Sequence, residues 1–312
     1  MLDALSKSFF HALARSTPIE RMASRIGMAT PTSFARRFIA GESAEEAIDA
    51  AKAIQAKGML LTLDQLGESI TTLDEAEAAT KIYLALIEKI RAAGIDRNIS
   101  LKPTQLGLDI DPAVCVNNIT RILDLAKQHE FFVRIDMENT PYIQKTLDMF
   151  ASVWSKGYRN AGVVLQSAVF RSEEDAKAVS RMGARVRLVK GAYKEPAALA
   201  HQAKADVDKA YVRIMKLLLT EGTYPAMATH DPAMIDATKA FAAEQGIGKD
   251  AYEFQMLYGI RRDLQAQLVA EGYRMRVYVP FGKQWFPYFM RRLGERPANV
   301  GFVVKGILSD RG

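Results

Sequence analysis

The stretch of sequence that decides the fold is residues 98–138, NISLKPTQLGLDIDPAVCVNNITRILDLAKQHEFFVRIDME. It begins with a segment typical of a β-strand (98–105), continues into a helical pattern over 112–128 and ends in a second strand-like segment (131–138). Two strands separated by a helix predict parallel pairing through a right-handed crossover.

The same alternation runs along most of the chain. Segments rich in β-branched or apolar residues are MLLTLDQLG (59–67), NISLKPTQ (98–105), FFVRIDME (131–138), GVVLQSA (162–168), RVRLVKG (185–191), YPAMATHD (224–231), YEFQML (252–257) and RMRVYVP (274–280). Helical patterns occupy stretches such as 70–93, 112–128, 171–183, 195–220, 231–245 and 260–272. Eight such units in about 250 residues predict an α/β fold, a (βα)8 TIM-type barrel, rather than a doubly wound sheet.

The chain is predicted to be one folded unit with an extra N-terminal part. Residues 1–55 precede the first strand-like segment and are expected to form a helical extension packed on the barrel, which spans 56–312. The first residues form an amphipathic helical pattern, with Leu2, Leu5, Phe9 and Leu13 on one side. We expect that face to pack against the protein rather than against a membrane.

Composition excludes several classes of protein. The single cysteine, Cys115, excludes an internal disulfide framework and a cysteine-based metal site. The four histidines are scattered without HxH or HExxH spacing, so no metal is expected. The net charge of +6 is dispersed rather than gathered into a stripe, which favours an acidic small ligand over nucleic acid.

Polar residues mark the predicted carboxyl ends of the strands, where TIM barrels hold their active sites. They are Lys102, Asp136, Glu138, Gln166, Arg187, Lys190, Thr229, His230, Arg276 and Tyr278. A charge inside a barrel is costly unless it is paired or meets a ligand, so their convergence predicts a site. Structural alternatives stay open: Lys102 could pair with Asp136 and Arg187 with Glu138, and His230 could support the helix that Asp231 would cap.

The C-terminal segment RVYVPFGKQWFPYFMRRLGE (276–295) combines a strand, a break at Pro280-Phe281-Gly282 and a helical pattern. Spacings of three and four place Trp285, Tyr288, Arg291 and Arg292 on one broad face of that helix. An arginine pair beside aromatic rings suits a small planar anion such as a carboxylate. Solvated surface arginines are the alternative.

The chain resembles the proline dehydrogenases, flavoproteins that oxidise proline to pyrroline-5-carboxylate. The segments that carry the resemblance are LKPTQLG (101–107), VRIDMEN (133–139), RLVKGAYKE (187–195), ATH (228–230), EFQML (253–257) and RVYVPFG…WFPYFMRRLGERP (276–297). They occur in the order of the family. The resemblance implies a (βα)8 barrel with its last helix over the mouth, noncovalent FAD, and hydride transfer from proline to flavin N5.

The resemblance also implies a role for individual residues. It implies that Lys102, Arg291 and Arg292 bind the substrate carboxylate and that Tyr278, Tyr288 and Leu257 line the substrate pocket. Asp136 and Arg187 would be the catalytic pair, with Asp136 ordering the charged cluster and Arg187 close to the reactive part of the flavin. The implied flavin contacts are Met137, Gln166, Arg187, Val189, Lys190, Gly191, Thr229 and His230. Lys194 stands where larger bifunctional relatives often have an aromatic residue near the flavin, so the flavin packing of those relatives does not carry over to this position.

The implied partners are L-proline, a quinone reached by transient membrane contact, and a separate pyrroline-5-carboxylate dehydrogenase. We expect a monofunctional protein, because 312 residues leave no room for an aldehyde dehydrogenase domain. The absence of a recognisable transit peptide predicts a cytoplasmic location, and transfer of electrons to a quinone would bring the protein to the inner face of the cell membrane. Two other classes of protein are also compatible with the sequence. A lyase or aldolase barrel would use Lys102 or Lys190 as a Schiff base, and a nucleic-acid binder would rely on charge alone.

Overall fold

A computed structural model describes Met28, residues 33–67 and residues 70–295, with the side chains of residues 34 and 291–295 excepted. The amphipathic segment predicted at the N-terminus lies outside these residues. The strands are β1 (Leu60–Gln65), β2 (Asn98–Leu101), β3 (Phe132–Ile135), β4 (Ala161–Gln166), β5 (Arg185–Val189), β6 (Ala226–Ala228), β7 (Glu253–Leu257) and β8 (Met275–Phe281). The helices are α1 (Ala44–Gln55), α2 (Leu73–Ala93), α3 (Pro112–Gln128), α4 (Thr140–Ser155), α5 (Ser172–Arg181), α6 (Lys204–Glu221), α7 (Pro232–Glu244), α8 (Arg262–Ala270) and α9 (Trp285–Glu295).

The described strands form a closed barrel in sequence order, and every pairing between neighbours is parallel. The barrel closes between the first and last strands, where Leu60 lies opposite Arg276 and Gln65 opposite Phe281. The (βα)8 prediction is therefore confirmed. A parallel strand needs a crossover, and the helices between the strands supply it.

The core lies between the strands and the surrounding helices. Side chains such as Ile99, Val133 and Val163 are fully buried there against helical residues such as Ile119 and Ile122. Because alternate residues of a strand point to opposite sides, the other set faces the barrel interior. Much of that interior set is polar, and it provides the site.

Two predicted segments have different bounds in the structure. The strand predicted over 98–105 ends at Leu101, because Lys102 is followed by Pro103, which has no N–H for the ladder and opens a 3-10 helix (Pro103–Leu106). The helix predicted over 195–220 begins only at Lys204. Glu195 instead accepts hydrogen bonds from the Thr140 backbone N–H (3.0 Å) and hydroxyl (2.6 Å), which caps the start of α4.

Helix α9 lies over the carboxyl ends of the strands. Its residues Trp285, Phe286, Tyr288, Phe289 and Met290 are buried in a second hydrophobic cluster together with Met28, Ala35, Phe38, Ile39 and Leu66, and Tyr278 of β8 packs against the cluster. The indole N–H of Trp285 donates to the Glu42 carboxylate at 3.1 Å. The last helix therefore covers the barrel mouth, as expected.

Candidate active site

A buried ion pair joins the carboxyl ends of β1 and β2. The Lys102 ammonium lies 3.0 Å from Asp64 Oδ2 and 3.2 Å from Oδ1. Asp64 is fully buried and Lys102 is only 7% exposed, so neither charge is solvated by bulk water. Burial raises the pKa of Asp64, the charge of Lys102 opposes that effect, and the nearby Asp136 adds to it.

A second ionic group lies beside the first. Arg187 of β5 donates to Asp136 Oδ1 at 2.7 Å, across the barrel from one strand to another. The Tyr278 hydroxyl donates to the other oxygen of Asp136 at 3.1 Å, and the Arg187 guanidinium lies 5.4 Å from the Tyr278 ring centroid. Burial and the negative charges of Asp136 and Asp64 raise the pKa of Tyr278 well above its usual value, so the phenol keeps its proton at neutral pH.

Two hydrogen bonds to residues deeper in the barrel fix the orientation of the Arg187 side chain. Its Nε donates to Gln255 Oε1 at 2.6 Å and its Nη2 donates to Ser100 Oγ at 3.0 Å. The Ser100 hydroxyl in turn lies 3.2 Å from the Thr62 hydroxyl. Side chains from four strands thus meet around one buried guanidinium, which confirms that these positions face the interior.

Arg276 was predicted at the catalytic end of β8, and this prediction is wrong. It is the second residue of that strand and pairs with Glu253, the first residue of β7, at 2.8 Å. It also reaches Asp96 at 2.5 Å and the Leu61 carbonyl at 2.6 Å. These partners place Arg276 at the amino ends of the strands, because strand periodicity fixes the face of a residue but not its height in the barrel.

The other side of the mouth carries polar groups at the ends of β4 to β7. The Gln166 amide donates to the Glu138 carbonyl at 2.7 Å, and the Thr229 hydroxyl accepts from the Asp231 N–H at 3.1 Å. The His230 Nε2 accepts from the Leu257 N–H at 2.9 Å, so this imidazole supports the end of β7. Met137 is buried and Val189 is partly buried at the ends of β3 and β5.

Lys190 belongs to a separate cluster beyond the end of β5. Its ammonium lies 2.5 Å from Asp208 and 2.6 Å from Asp231, and Lys204 pairs with the same two carboxylates. Burial alone would raise the pKa of Asp231, but hydrogen bonds from the two lysines lower it to about 2. As predicted, Asp231 also caps α7, accepting from the Ala233 N–H at 3.1 Å.

The aromatic part of α9 closes the space above these groups. Tyr288 is buried and acts electrostatically on Tyr278, so the two tyrosines lie close together. Arg291 and Arg292 follow one turn later in the same helix, but their side chains fall outside the described residues. The structure therefore places the backbone of this arginine pair in the covering helix and says nothing of its contacts.

The pairings differ from those weighed from the sequence. Lys102 pairs with Asp64 rather than Asp136, and Arg187 pairs with Asp136 rather than Glu138. Glu138 instead accepts from the Thr104 hydroxyl at 2.7 Å. Asp64 was missed, although its position in a run of alternating apolar residues (LLTLDQL) marks an inward carboxylate that needs a partner.

The geometry gives little support to the rival enzymes. A Schiff-base lysine must present a neutral amine to a carbonyl, whereas the Lys102 and Lys190 ammonium groups are both held by carboxylates. Within the described residues, no group of three or more His, Cys, Asp or Glu side chains is arranged to hold a metal ion. None of the helices in that part of the chain has the length and hydrophobicity needed to span a bilayer.

Comparison with known proteins assigns the chain to a family. The sequence model of the family described as proline dehydrogenase matches residues 47–305. A protein named proline dehydrogenase 2 from Bacillus subtilis is 41% identical over 303 residues, which cover 97% of this chain and 99% of the relative. A proline dehydrogenase from Deinococcus radiodurans is 41% identical over 312 residues, 99% of each chain.

A solved structure supports the same family assignment. The structure of proline utilization A from Bdellovibrio bacteriovorus, inactivated by N-propargylglycine, is similar with a TM-score of 0.77 and 30% identity, over 83% of this chain and 32% of that one. The fold and the ionic mouth define a TIM-barrel enzyme with a covered, highly charged site. The chain belongs to the proline dehydrogenase family, and is an oxidoreductase of that family.

Proposed function

We propose that this protein oxidises L-proline to 1-pyrroline-5-carboxylate with noncovalently bound FAD. The observation that carries the proposal is two ionic pairs side by side under the aromatic helix α9, the buried Lys102–Asp64 and the partly buried Arg187–Asp136. In this proposal the substrate is small, because helix α9 covers the mouth. It is anionic because Arg291 and Arg292 of that helix add positive charge to a mouth in which Lys102 and Arg187 are already matched by Asp64 and Asp136. Proline has a carboxylate and a compact apolar ring, and relatives covering nearly the whole chain are named for it.

The residues at the mouth fit a flavin. Gln166 at the end of β4 presents an amide, and Thr229 and His230 after β6 present a hydroxyl and an imidazole, on either side of β5. These groups can bond the heteroatoms of a flavin ring. Gly191 has a φ of +110°, and a Cβ there would meet Gln166 Oε1 at 3.0 Å, so a side chain at this position would be strained and would crowd the Gln166 amide proposed to contact the flavin. Met137, Val189, Lys190 and Arg187 complete the proposed set of cofactor residues.

In this proposal the protein mainly positions the substrate. Lys102, with Arg291 and Arg292 from the covering helix, binds the carboxylate and so fixes one end of the proline ring. Tyr278, Tyr288 and Leu257 enclose the CH2 groups and exclude larger rings. Asp64 and Asp136 balance the cations, which would otherwise repel one another in the absence of substrate.

The reaction removes a hydride from proline C5 and a proton from its nitrogen, which is released to solvent, and a C=N bond forms between the two atoms. When bound, FAD supplies the acceptor for the hydride at N5. Arg187 contributes a fixed positive charge that favours acceptance of negative charge at the mouth. We propose further that the electrons pass to a quinone during transient contact with the membrane, and that a separate dehydrogenase consumes the product.

The experiment is a turnover assay on protein reconstituted with FAD. L-Proline is supplied with an artificial electron acceptor, and the cyclic imine is trapped as its coloured adduct with o-aminobenzaldehyde. With L-proline we expect one imine for each two electrons that the acceptor takes up. With glycine, which has the same carboxylate but no ring, we expect none. Reconstituted protein that forms no imine would overturn the proposal.

A further inference from the structure

A continuous chain of hydrogen bonds runs through the barrel interior from the mouth to the floor. It begins at Asp136 and Arg187, continues through Gln255 and Glu253 of β7, and ends at Arg276. The first two residues belong to the proposed site, whereas the last three have no part in it. The presence of Gln255, Glu253 and Arg276 in the barrel interior therefore needs a separate explanation, because burying polar groups costs free energy.

The polarity of this chain is fixed by one carboxylate. The Gln255 Oε1 accepts from Arg187 at 2.6 Å, and the Gln255 Nε2 donates to Glu253. A carboxylate can only accept, so Glu253 forces the amide NH2 downward and the amide oxygen upward, toward Arg187. Without that constraint the amide could turn and present donors to a guanidinium that also only donates.

The charge of Glu253 is held in place from below. Arg276 binds both of its oxygens, at 2.8 and 3.1 Å, and is itself anchored by Asp96 at 2.5 Å. Burial would raise the pKa of Glu253, but the charge and hydrogen bonds of Arg276 outweigh it and lower the pKa. Glu253 is therefore an anion at neutral pH, although it is only 2% exposed.

We propose that Gln255 and Glu253 are positioning residues for the oxidation: Glu253 orients the Gln255 amide, and the amide holds the Arg187 guanidinium at the mouth with a neutral acceptor. Asp136 already places one carboxylate against this guanidinium, at 2.7 Å, so the charge of a second acceptor decides how much positive field remains. The neutral Gln255 amide holds the guanidinium without adding a second negative charge, whereas a carboxylate in its place would hold Arg187 equally well but remove most of the remaining field. This inference rests on the proposed function, in which that field faces the flavin.

Exchanging the two side chains separates charge from hydrogen bonding. In the double variant Glu253→Gln with Gln255→Glu, Arg276 can still donate to residue 253, whose amide can donate to residue 255, which accepts from Arg187. One bond along each step of the chain is preserved, but Arg276 finds one acceptor oxygen at residue 253 instead of two, and the negative charge moves up beside Arg187. We expect lower stability to urea, because the buried Arg276 loses its Glu253 carboxylate. We also expect a flavin midpoint potential lowered by about 30 mV or more, equivalent to a tenfold change for a two-electron couple.

A neutral variant tests positioning alone. Gln255→Met keeps the size and charge of the side chain but removes both hydrogen bonds. We expect kcat to fall at least tenfold while KM for proline changes less than threefold, because the carboxylate clamp is not touched. The midpoint potential should stay within 10 mV of the wild-type value, on the same scale of about 30 mV per decade.

Asn118→Asp is the matched control, a buried amide of α3 that donates to the Leu106 carbonyl at 3.2 Å, outside the barrel interior. It should lower stability without moving the midpoint or the kcat to KM ratio beyond threefold. A double variant with an unchanged midpoint, or Gln255→Met with wild-type kcat, would overturn the inference. A wild-type protein that neither binds FAD nor oxidises proline would instead overturn the proposed function.

Discussion

Removing Lys102 should lower the free energy of unfolding, because the buried Asp64 carboxylate would lose its cation. Lys102→Met deletes the ammonium that lies 3.0 Å from Asp64, and leaves a fully buried carboxylate without its cation. Breaking a buried ion pair from one side costs about 3–5 kcal/mol, whereas replacing both partners costs far less. We therefore expect Lys102→Met to lose about 3 kcal/mol at pH 7.5, and Lys102→Met with Asp64→Asn to recover most of that loss.

The loss should also depend on pH. Burial already raises the pKa of Asp64, and removal of Lys102 raises it further. In the unfolded chain an aspartate releases its proton near pH 3.9, so above that pH the folded variant binds more protons than the unfolded one. Its stability therefore falls as pH rises from about 4 toward the raised folded pKa, and the difference from wild type should be larger at pH 8 than at pH 4.

Urea unfolding of the apoprotein, followed by far-UV circular dichroism, measures both effects. The matched control is Lys89→Met, the same change in an exposed pair in which Lys89 lies 2.6 Å from Glu45 and both side chains are about half exposed or more. Exposed pairs contribute about 0–1 kcal/mol, so this variant should remain close to wild type. The reasoning would be refuted if Lys102→Met were no more destabilised than Lys89→Met.

Three further predictions concern the mouth and its rim. Asp231→Asn keeps an N-cap for α7 but removes the carboxylate whose pKa Lys190 and Lys204 lower to about 2. The stability that wild type loses as pH falls from about 4 to 2 should therefore shrink by about 2 kcal/mol in acid unfolding curves. Tyr278→Phe removes the hydroxyl that donates to Asp136 at 3.1 Å, so kcat/KM for proline should fall about tenfold with flavin absorbance retained, and unchanged kinetics would argue against this contact. Arg291→Met should raise KM for proline about 10- to 100-fold without loss of FAD, measured by steady-state kinetics; a normal KM would remove this arginine from the carboxylate clamp.

The fold was predictable because parallel strands and helices have different periods. Segments such as NISL and FFVRI are too short and too apolar for helices, while the 112–128 pattern has one apolar face. The breaks were harder, since the strand predicted up to residue 105 stops at Leu101 before Pro103. Glu195 was assigned to a helix because its use as a cap for α4 depends on a residue far away in the sequence.

The residues of the candidate site were easier to predict than their partners. The sequence shows that Lys102, Asp136 and Arg187 stand near strand ends, and the structure brings these residues together. Which carboxylate meets which cation depends on the stagger between strands, and no local pattern records it. Arg276 and Tyr278 are two residues apart in β8 and both face the barrel interior. Arg276 nevertheless lies at the amino-terminal end of the barrel, where it contacts Asp96, and Tyr278 lies nearer the mouth.

Opposite charges are paired within the candidate site. The described pairs are the buried Asp64–Lys102 and the partly buried Asp136–Arg187, and in each a carboxylate matches the cation, so the mouth can hold two cations without net repulsion. An anionic substrate then adds the charge that Arg291 and Arg292 would balance. On this account the covering helix and the barrel mouth are electrostatically complementary only when substrate is present.

The central claim is that this mouth binds proline and passes its electrons to a flavin. The most direct measurement is the visible spectrum of the FAD-loaded protein, titrated with L-proline in the absence of oxygen. We predict that flavin absorbance near 450 nm bleaches on addition of L-proline and returns on addition of a quinone. A flavin that binds but stays oxidised under excess L-proline would contradict the account.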